Sequence, residues 1–174
     1  MERIVLTTAQ KALKINLNEN IYGTYAEIGA GQEVVRHFFR SGGASGTVAK
    51  TMSAYDKDFS DAIYGREVDG RYVTENRLRK MLAHEYSLIE QRLSRDKFPN
   101  KCYFAFSNTV ATINFTKKFK GHGWMGMRFQ LDPEQGPNDG DFSHPHERGR
   151  GLPAAGDHRH YGCQPDIRGL SYTQ

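Results

Sequence analysis

The sequence predicts an α/β fold, an incomplete domain of mixed helices and strands that ends in a disordered C-terminal tail. Three observations lead to this prediction. Residues 74–94 have the periodicity of one long amphipathic helix, residues 22–28 and 102–106 have the character of short strands, and helical and strand-like segments alternate along the chain. That alternation is typical of a sheet covered by helices.

The first half of the chain contains local signals for both kinds of element. Thr7 or Thr8 is suited to the N-cap of a helix, because a hydroxyl oxygen can accept a hydrogen bond from a free backbone N–H. Val34, Val35 and Phe38 recur at helical spacing. The predicted strands are residues 3–6 and 22–28, and the predicted helices are residues 7–13, 32–40 and 47–55.

The second half of the chain contains the long helix and the remaining strands. The helix is predicted at residues 74–94, and the strands at residues 102–106, 110–115 and 124–131. The side chains expected in the core are Leu78, Met81, Leu82, Ile89, Phe104 and Phe106.

The turn Gly29-Ala30-Gly31 lies between a predicted strand and a predicted helix. Backbone N–H groups and the helix dipole favour a phosphate or carboxylate at such a turn. A complete dinucleotide fingerprint needs a third glycine where Val34 stands. Gly29 and Gly31 are therefore candidate ligand-binding residues, and a tight turn that lets helix and strand pack closely is the alternative.

A second glycine-rich loop contains Gly42 and Gly43 and is followed by Lys50. A phosphate-binding loop of the GxxxxGK[ST] type needs glycine at positions 44 and 49, and both are alanine here. Lys50 can still neutralise a phosphate, so Gly42, Gly43 and Lys50 complete the candidate set. The alternative is a surface lysine on a helix after a flexible loop.

Asp56, Asp58 and Asp61 form an acidic cluster beside Tyr55. Carboxylates at this density can hold Mg²⁺ together with substrate phosphates, but the pattern of a calcium loop is absent. We interpret the cluster as solvated carboxylates at a helix boundary and predict no metal ligands. The sequence identifies no cofactor.

The formal net charge of +4 permits an anionic partner. A phosphorylated small molecule is the predicted ligand. Nucleic-acid binding is not expected, because the basic residues are scattered and form no dense stripe. The sequence shows no signal peptide and no apolar window of about 18 residues, so no membrane partner is expected and the predicted location is the cytoplasm.

Residues 136–174 differ abruptly from the chain before them. They hold 4 of the 6 prolines, 7 of the 18 glycines and 4 of the 7 histidines. Such a segment buries too little apolar area to offset the entropy of ordering it. If the reading frame is moved forward by one base, the codons of this segment permit an amphipathic amino-acid sequence of globular character. We therefore predict that the tail is frame-shifted. Its histidines and Cys163 are then not expected to form a metal site. The predicted boundary separates an α/β segment at residues 1–135 from an irregular, non-native tail at residues 136–174.

Several stretches resemble a long bacterial protein family whose members are sometimes labelled nicotinate-nucleotide adenylyltransferase. They are the N-terminal run of residues 1–65, which begins MERIVLTTAQ and ends SDAIYG, and the later RYVTENRLRKML, SNTVATINF and KGHGWMGMRFQLDP, within about residues 1–135. The resemblance implies a nucleotidyltransferase. The expected loops of the GxFxPxHxGH and ISSTxxR types are absent, so the resemblance assigns no catalytic residue.

Three functional hypotheses follow from the sequence. The first is a fragment of an enzyme that binds a nucleotide or another phosphorylated ligand at the glycine turns. The second is a non-enzymatic binding or scaffold protein of the same fold class. The third is a truncated product without function.

Overall fold

The computed structural model describes residues 5–111, 116 and 121–144, and over residues 141–144 it describes the backbone alone. The elements are α1 (Thr8–Asn16), β1 (Ile21–Gly29), α2 (Val34–Ser41), β2 (Val48–Ala54), α3 (Lys57–Tyr64), α4 (Glu75–Arg92), β3 (Cys102–Val110), β4 (Gly123–Phe129) and β5 (Asn138–His144). The five strands form one sheet in the order β2-β1-β3-β4-β5. Strands β1, β2 and β3 are parallel, whereas β4 and β5 are antiparallel to their neighbours. The fold is therefore mixed α/β, as the sequence predicts.

Helices pack on both faces of the sheet. On one face, Tyr25 of β1 and Phe104 of β3 pack with Ile15 of α1 and Phe38 of α2. The other face is covered by α3 and α4, where Met81 packs against Ala26. Because both faces of β1 and β3 are covered, these strands are buried along almost their whole length. None of the helices in the part of the chain that the structure describes has the length and hydropathy needed to span a bilayer.

The prediction of a long helix and at least two strands within residues 74–131 is confirmed by α4, β3 and β4. Of the predicted strand at residues 110–115, Val110 ends β3, Ala111 lies in no strand, and residues 112–115 lie outside the described residues. The side chains predicted in the core are buried. They are Leu78, Met81, Leu82, Ile89, Phe104 and Phe106. Helix α1 begins after Thr7, whose hydroxyl and Gln10 form a reciprocal capping box.

The predicted helix at residues 47–55 is wrong, because these residues form β2. Positions alternate between half-buried and exposed from Val48 to Ser53, which is the period of a strand. Backbone pairing with β1, interrupted by a register shift at Gly23 and Thr24, fixes this edge strand. The predicted strand at residues 3–6 is not formed at Val5 and Leu6, while residues 3–4 lie outside the described residues.

Part of the segment predicted to be irregular belongs to the sheet. Residues 138–144 form β5, which pairs with β4 from Phe129 opposite Asn138 to Gly123 opposite His144. The Arg128 guanidinium donates two hydrogen bonds of 2.7 and 2.6 Å to the Asp139 carboxylate. Cross-strand pairing of this kind is invisible to a composition argument, since the partner strand supplies it. The rest of the predicted tail, residues 145–174, lies outside the described residues.

Arg77 is a fully buried cation at the junction of α3, α4 and the connection between them, and its side chain is 0% exposed. Its guanidinium donates to the carbonyl of Gly65 at 2.5 Å, to the Glu67 carboxylate at 3.1 Å and to the Ser60 hydroxyl at 2.7 Å. It also lies 3.6 Å from the carboxylate of Asp61. The two carboxylates compensate a charge that could not otherwise be buried.

We expect Arg77→Ala to lower the free energy of unfolding by about 3–5 kcal/mol, because it removes the buried charge that pairs with Glu67 and Asp61 and with it the hydrogen bonds that join α3 and α4. Urea denaturation measures this loss. The matched control is Arg79→Ala, two residues further along α4, whose exposed pair with Glu75 spans i,i+4 and contributes about 0.3–0.5 kcal/mol. Equal losses for the two variants would contradict the role assigned to Arg77.

A second prediction concerns the hairpin of β4 and β5. Hydrogen bonds from Arg128 lower the pKa of the Asp139 carboxyl below its ordinary 3.8. A lowered pKa stabilises the fold at pH values above the ordinary pKa, and the contribution is lost as the pH falls through the lowered value. Asp139→Asn should therefore cost less than about 1 kcal/mol at pH 7. The difference from the parent should shrink as the pH falls below the ordinary pKa and vanish once the pH is below the lowered pKa. Thermal unfolding at a series of pH values measures it, with the exposed Glu134→Gln as the control. A pH-independent difference would contradict the assignment.

Candidate functional site

The carboxyl ends of β1 and β3 form the topological switch point of the sheet. The chain leaves β1 toward β2 on one side, and β3 then joins β1 on the other side. In open α/β sheets the crevice at such a point, outside the carboxyl ends of the strands, is the usual place for a ligand. This edge contains Gly29 and Gly31 after β1 and Asn108 and Thr109 near the end of β3.

Glu27 is the central polar residue at this edge, and it is 2% exposed. Its carboxylate accepts hydrogen bonds from the backbone N–H of Val34 at 2.9 Å and of Val35 at 3.3 Å. It also accepts one from the Asn108 amide at 3.0 Å, and that amide donates to the carbonyl of Gly31 at 2.8 Å. The chain thus supplies its own anion to the N-terminus of α2, where free N–H groups and the helix dipole favour negative charge.

Gly29 and Gly31 lie where the backbone packs most tightly. Gly29 has φ +78°, and a side chain there would meet the Val110 carbonyl oxygen at 2.2 Å. A side chain on Gly31 would meet the Asn108 amide oxygen at 2.5 Å. The Ala30 N–H donates to the Val110 carbonyl at 3.1 Å. Ligand binding by Gly29 and Gly31 stays a prediction, and a phosphate on the N-terminus of α2 would have to displace the Glu27 carboxylate.

The other candidate residues lie elsewhere in the fold. Gly42 and Gly43 follow α2 at the opposite, amino edge of the parallel strands, where the Gly42 carbonyl accepts from the Asn16 amide at 2.7 Å. Lys50 is on β2 beside Thr24, and its ammonium lies 2.5 Å from the buried carboxylate of Glu85. The structure therefore brings Gly29 and Gly31 together but does not bring Gly42, Gly43 or Lys50 to them.

Tyr64 completes the cluster around Lys50. Its hydroxyl donates to the second oxygen of Glu85 at 2.8 Å. Burial and the neighbouring Glu85 carboxylate raise the pKa of the Tyr64 phenol, so the phenol remains a donor at neutral pH. Glu85 thus has a cation and a phenol as partners, as a carboxylate with 0% exposure requires.

The acidic cluster has structural partners. The Asp56 carboxylate caps α3 by accepting from the N–H of Phe59 at 2.9 Å. Asp61 accepts from the Tyr72 hydroxyl at 2.7 Å. Asp58 lies in the first turn of α3, where the helix dipole favours a carboxylate. The cluster therefore serves the start of α3 and its contact with Tyr72.

A cavity of about 450 Å³ lies at the same edge of the sheet, on the side of α4, and sequence analysis missed it. Its lining residues are Arg71, Tyr72, Val73, Thr74 and His122. The Thr109 hydroxyl donates to the Tyr72 carbonyl at 2.8 Å, which joins the cavity wall to the end of β3. His122 precedes β4, and its carbonyl accepts from the N–H of Ala111 at 2.9 Å. Residues distant in sequence form this cavity, so no local motif signals it.

Comparisons with known proteins identify similar folds but no sequence relative. No family model matches the chain, and no curated protein matches it in sequence. The competence/damage inducible protein CihA from Agrobacterium tumefaciens matches with a TM-score of 0.55 at 13% identity, over 82% of this chain and 83% of that one. A competence or damage-inducible protein from Enterobacter asburiae matches with a TM-score of 0.50 at 12% identity, over 82% and 87%. The competence damage-inducible protein A from Klebsiella pneumoniae matches with a TM-score of 0.50 at 9% identity, over 82% and 85%.

These matches correct the resemblance drawn from the sequence. The similar solved structures are competence/damage-inducible proteins, whereas the sequence resemblance pointed to a family labelled nicotinate-nucleotide adenylyltransferase. That recognition is wrong. At such low identity the likeness shows the fold alone. Strand β5 lies in the stretch that composition and codons had assigned to a frame-shifted tail.

The role of Glu27 gives a testable prediction. Glu27→Ala leaves three buried donors without an acceptor, and each costs about 1–3 kcal/mol, so we expect a loss of at least about 3 kcal/mol in the free energy of unfolding. Glu27→Gln keeps one acceptor oxygen and should lose less. The control Glu33→Ala removes an exposed carboxylate 3.6 Å from Arg36, which contributes about 0–1 kcal/mol. Added formate should raise the melting temperature of Glu27→Ala and leave that of the parent unchanged. If Glu27→Ala and Glu33→Ala lost the same free energy of unfolding, the role of Glu27 as the cap of α2 would be contradicted.

Proposed function

We propose that this protein binds a small phosphorylated or otherwise anionic molecule in the cavity lined by Arg71, Thr74 and His122. The observation that carries the proposal is the start of α4, where the N-cap residue Thr74 lines this cavity and is a neutral hydroxyl, not a carboxylate. Helix α4 is 18 residues long and begins at Glu75. The unpaired N–H groups of a first turn and the helix dipole favour an anion.

The three helices that begin at this edge of the sheet differ in how their N-termini are compensated. The buried Glu27 carboxylate binds the N–H groups of α2, and the Asp56 carboxylate caps α3. Helix α4 has the neutral hydroxyl of Thr74 as its cap, which accepts from the N–H of Arg77 at 3.1 Å. The exposed Glu75 carboxylate is paired with Arg79 at 2.9 Å. An external anion therefore has a place at α4 that the chain itself fills at α2 and α3.

Arg71 supplies the charge that an anion would pair with. Its side chain is exposed, and within the described part of the chain its guanidinium forms no ion pair. A guanidinium presents a planar set of donors that fits a phosphate or a carboxylate. His122 and the Thr74 hydroxyl line the same cavity and add hydrogen-bonding groups.

The proposal is for binding and does not extend to a reaction. Three buried polar side chains of this edge have structural partners. Glu27 binds the N-terminus of α2, Asn108 donates to Glu27 and to the Gly31 carbonyl, and Thr109 donates to the Tyr72 carbonyl. A nucleotide, the finer ligand expected from the sequence, is one anion of suitable charge. The link of the similar structures to competence and damage does not enter the proposal, because the likeness supports the fold alone.

The test is titration with inorganic phosphate and with adenosine monophosphate, followed by calorimetry. Arg71→Ala should weaken phosphate binding roughly 10–150-fold, which corresponds to the loss of a charge-assisted contact. The matched control is Arg66→Ala, an exposed arginine in the same connection that does not line the cavity. Binding that is absent in the parent, or reduced equally by both variants, would overturn the proposal.

A further inference from the structure

We infer that Thr109 is a positioning residue for this anion site, because it fastens the segment that contains Arg71 and Thr74 to the end of β3. The inference rests on the proposed function for its effect on binding. Thr109 does not line the cavity. It acts through the connection between α3 and α4, residues 65–74, which we call the strap.

The strap contains no helix or strand between its ends, so side-chain contacts determine its course. At its start, Arg77 holds the Gly65 carbonyl and the Glu67 carboxylate. In its middle, Gly70 has φ +66° and its N–H donates to the Glu67 carbonyl at 3.1 Å, which closes a turn. After this turn, the strap reaches the cavity at Arg71 and Tyr72.

Tyr72 is a second point at which the strap contacts the rest of the fold. Its hydroxyl donates to Asp61 of α3 at 2.7 Å. Two cations lie over its ring, with the Lys57 ammonium 4.8 Å and the Arg77 guanidinium 5.0 Å from the ring centroid. Its carbonyl accepts from the Thr109 hydroxyl at 2.8 Å.

The contact from Thr109 differs from the others because it fixes the backbone between the two anion-binding side chains. Thr109 is 1% exposed and lies near the end of β3, the middle strand of the sheet, where it pairs with Ile28 of β1 and Trp124 of β4. The carbonyl that it holds belongs to the peptide group between Tyr72 and Val73, which lies between Arg71 and Thr74 in the strap. A hydrogen bond from this buried position restricts the backbone between Arg71 and Thr74, on which the directions of both side chains depend.

Two substitutions of Thr109 separate the effect of its hydrogen bond from the effect of its volume. Thr109→Val keeps the volume and removes the donor, whereas Thr109→Ser keeps the donor. The matched control is Thr24→Val. Thr24 is a buried threonine of β1 on the same face of the sheet as Thr109, and its hydroxyl has no hydrogen-bond partner among the described residues. We expect Thr109→Val alone to change the strap and the site.

Hydrogen exchange on the protein without added anion tests the fastening itself. Backbone amides of residues 68–74 should exchange roughly 2–10-fold faster in Thr109→Val, the factor expected for one lost hydrogen bond. Thr109→Ser and Thr24→Val should exchange like the parent. Unchanged exchange in Thr109→Val would overturn the inference, whether or not the protein binds an anion.

A double-mutant cycle with inorganic phosphate tests whether Thr109 acts through Arg71. Thr109→Val should weaken phosphate binding roughly 2–10-fold in the parent and have no further effect in the Arg71→Ala background. An equal loss in both backgrounds would show a general structural effect and overturn the inference. If the parent binds no phosphate, the proposed function fails while the exchange measurement still decides the role of Thr109.

Discussion

The buried charge of Arg77 is the constraint on which the candidate site depends. A guanidinium with 0% exposure is stable only beside carboxylates, and α3 and the strap supply Asp61 and Glu67. Glu67 also receives hydrogen bonds from Asn76 at 3.1 Å and Lys80 at 2.9 Å. These contacts bind the strap to α4 from one side. The strap forms a wall of the cavity. The contacts that neutralise Arg77 therefore also determine where an anion can approach the start of α4.

The carboxyl edge of the sheet concentrates positive electrostatic potential, since α2, α3 and α4 all begin there. The chain meets this condition differently at each helix. A strand residue, Glu27, compensates α2, a loop carboxylate, Asp56, compensates α3, and a neutral hydroxyl, Thr74, caps α4. A carboxylate cap satisfies free N–H groups and also opposes the dipole, whereas a hydroxyl satisfies one N–H without adding charge. The carboxylate in the first turn of α4, Glu75, is exposed and paired with Arg79. Among these three helices, α4 is thus the one whose cap adds no negative charge.

Local sequence signals were sufficient for the elements whose stability is local. The periodicity of Leu78, Met81 and Leu82 predicted α4 and its buried face, and Thr7 predicted the start of α1. Local sequence signals failed where pairing with a neighbouring strand determines the conformation. Residues of β2 were interpreted as a helix, and β5 was interpreted as part of an irregular tail, because ladder hydrogen bonds contribute nothing to a local pattern. The sequence did not predict the cavity for the same reason. The topology of the sheet brings His122 beside Arg71, and no local pattern indicates this contact.

The turn at Gly29 and Gly31 shows why a glycine pattern alone is a weak sign of a phosphate site. Both glycines are required by close packing against Val110 and Asn108, and this requirement is the same whichever group supplies the negative charge. The sequence does contain the distinguishing residue, because Glu27 stands two positions before Gly29. Successive strand side chains alternate between faces, so Glu27 and Gly29 share the face on which α2 begins. A carboxylate at that position reaches the first turn of the helix, as its bonds to Val34 and Val35 demonstrate. A glycine turn between a strand and a helix therefore favours an external anion only when the strand does not already provide one.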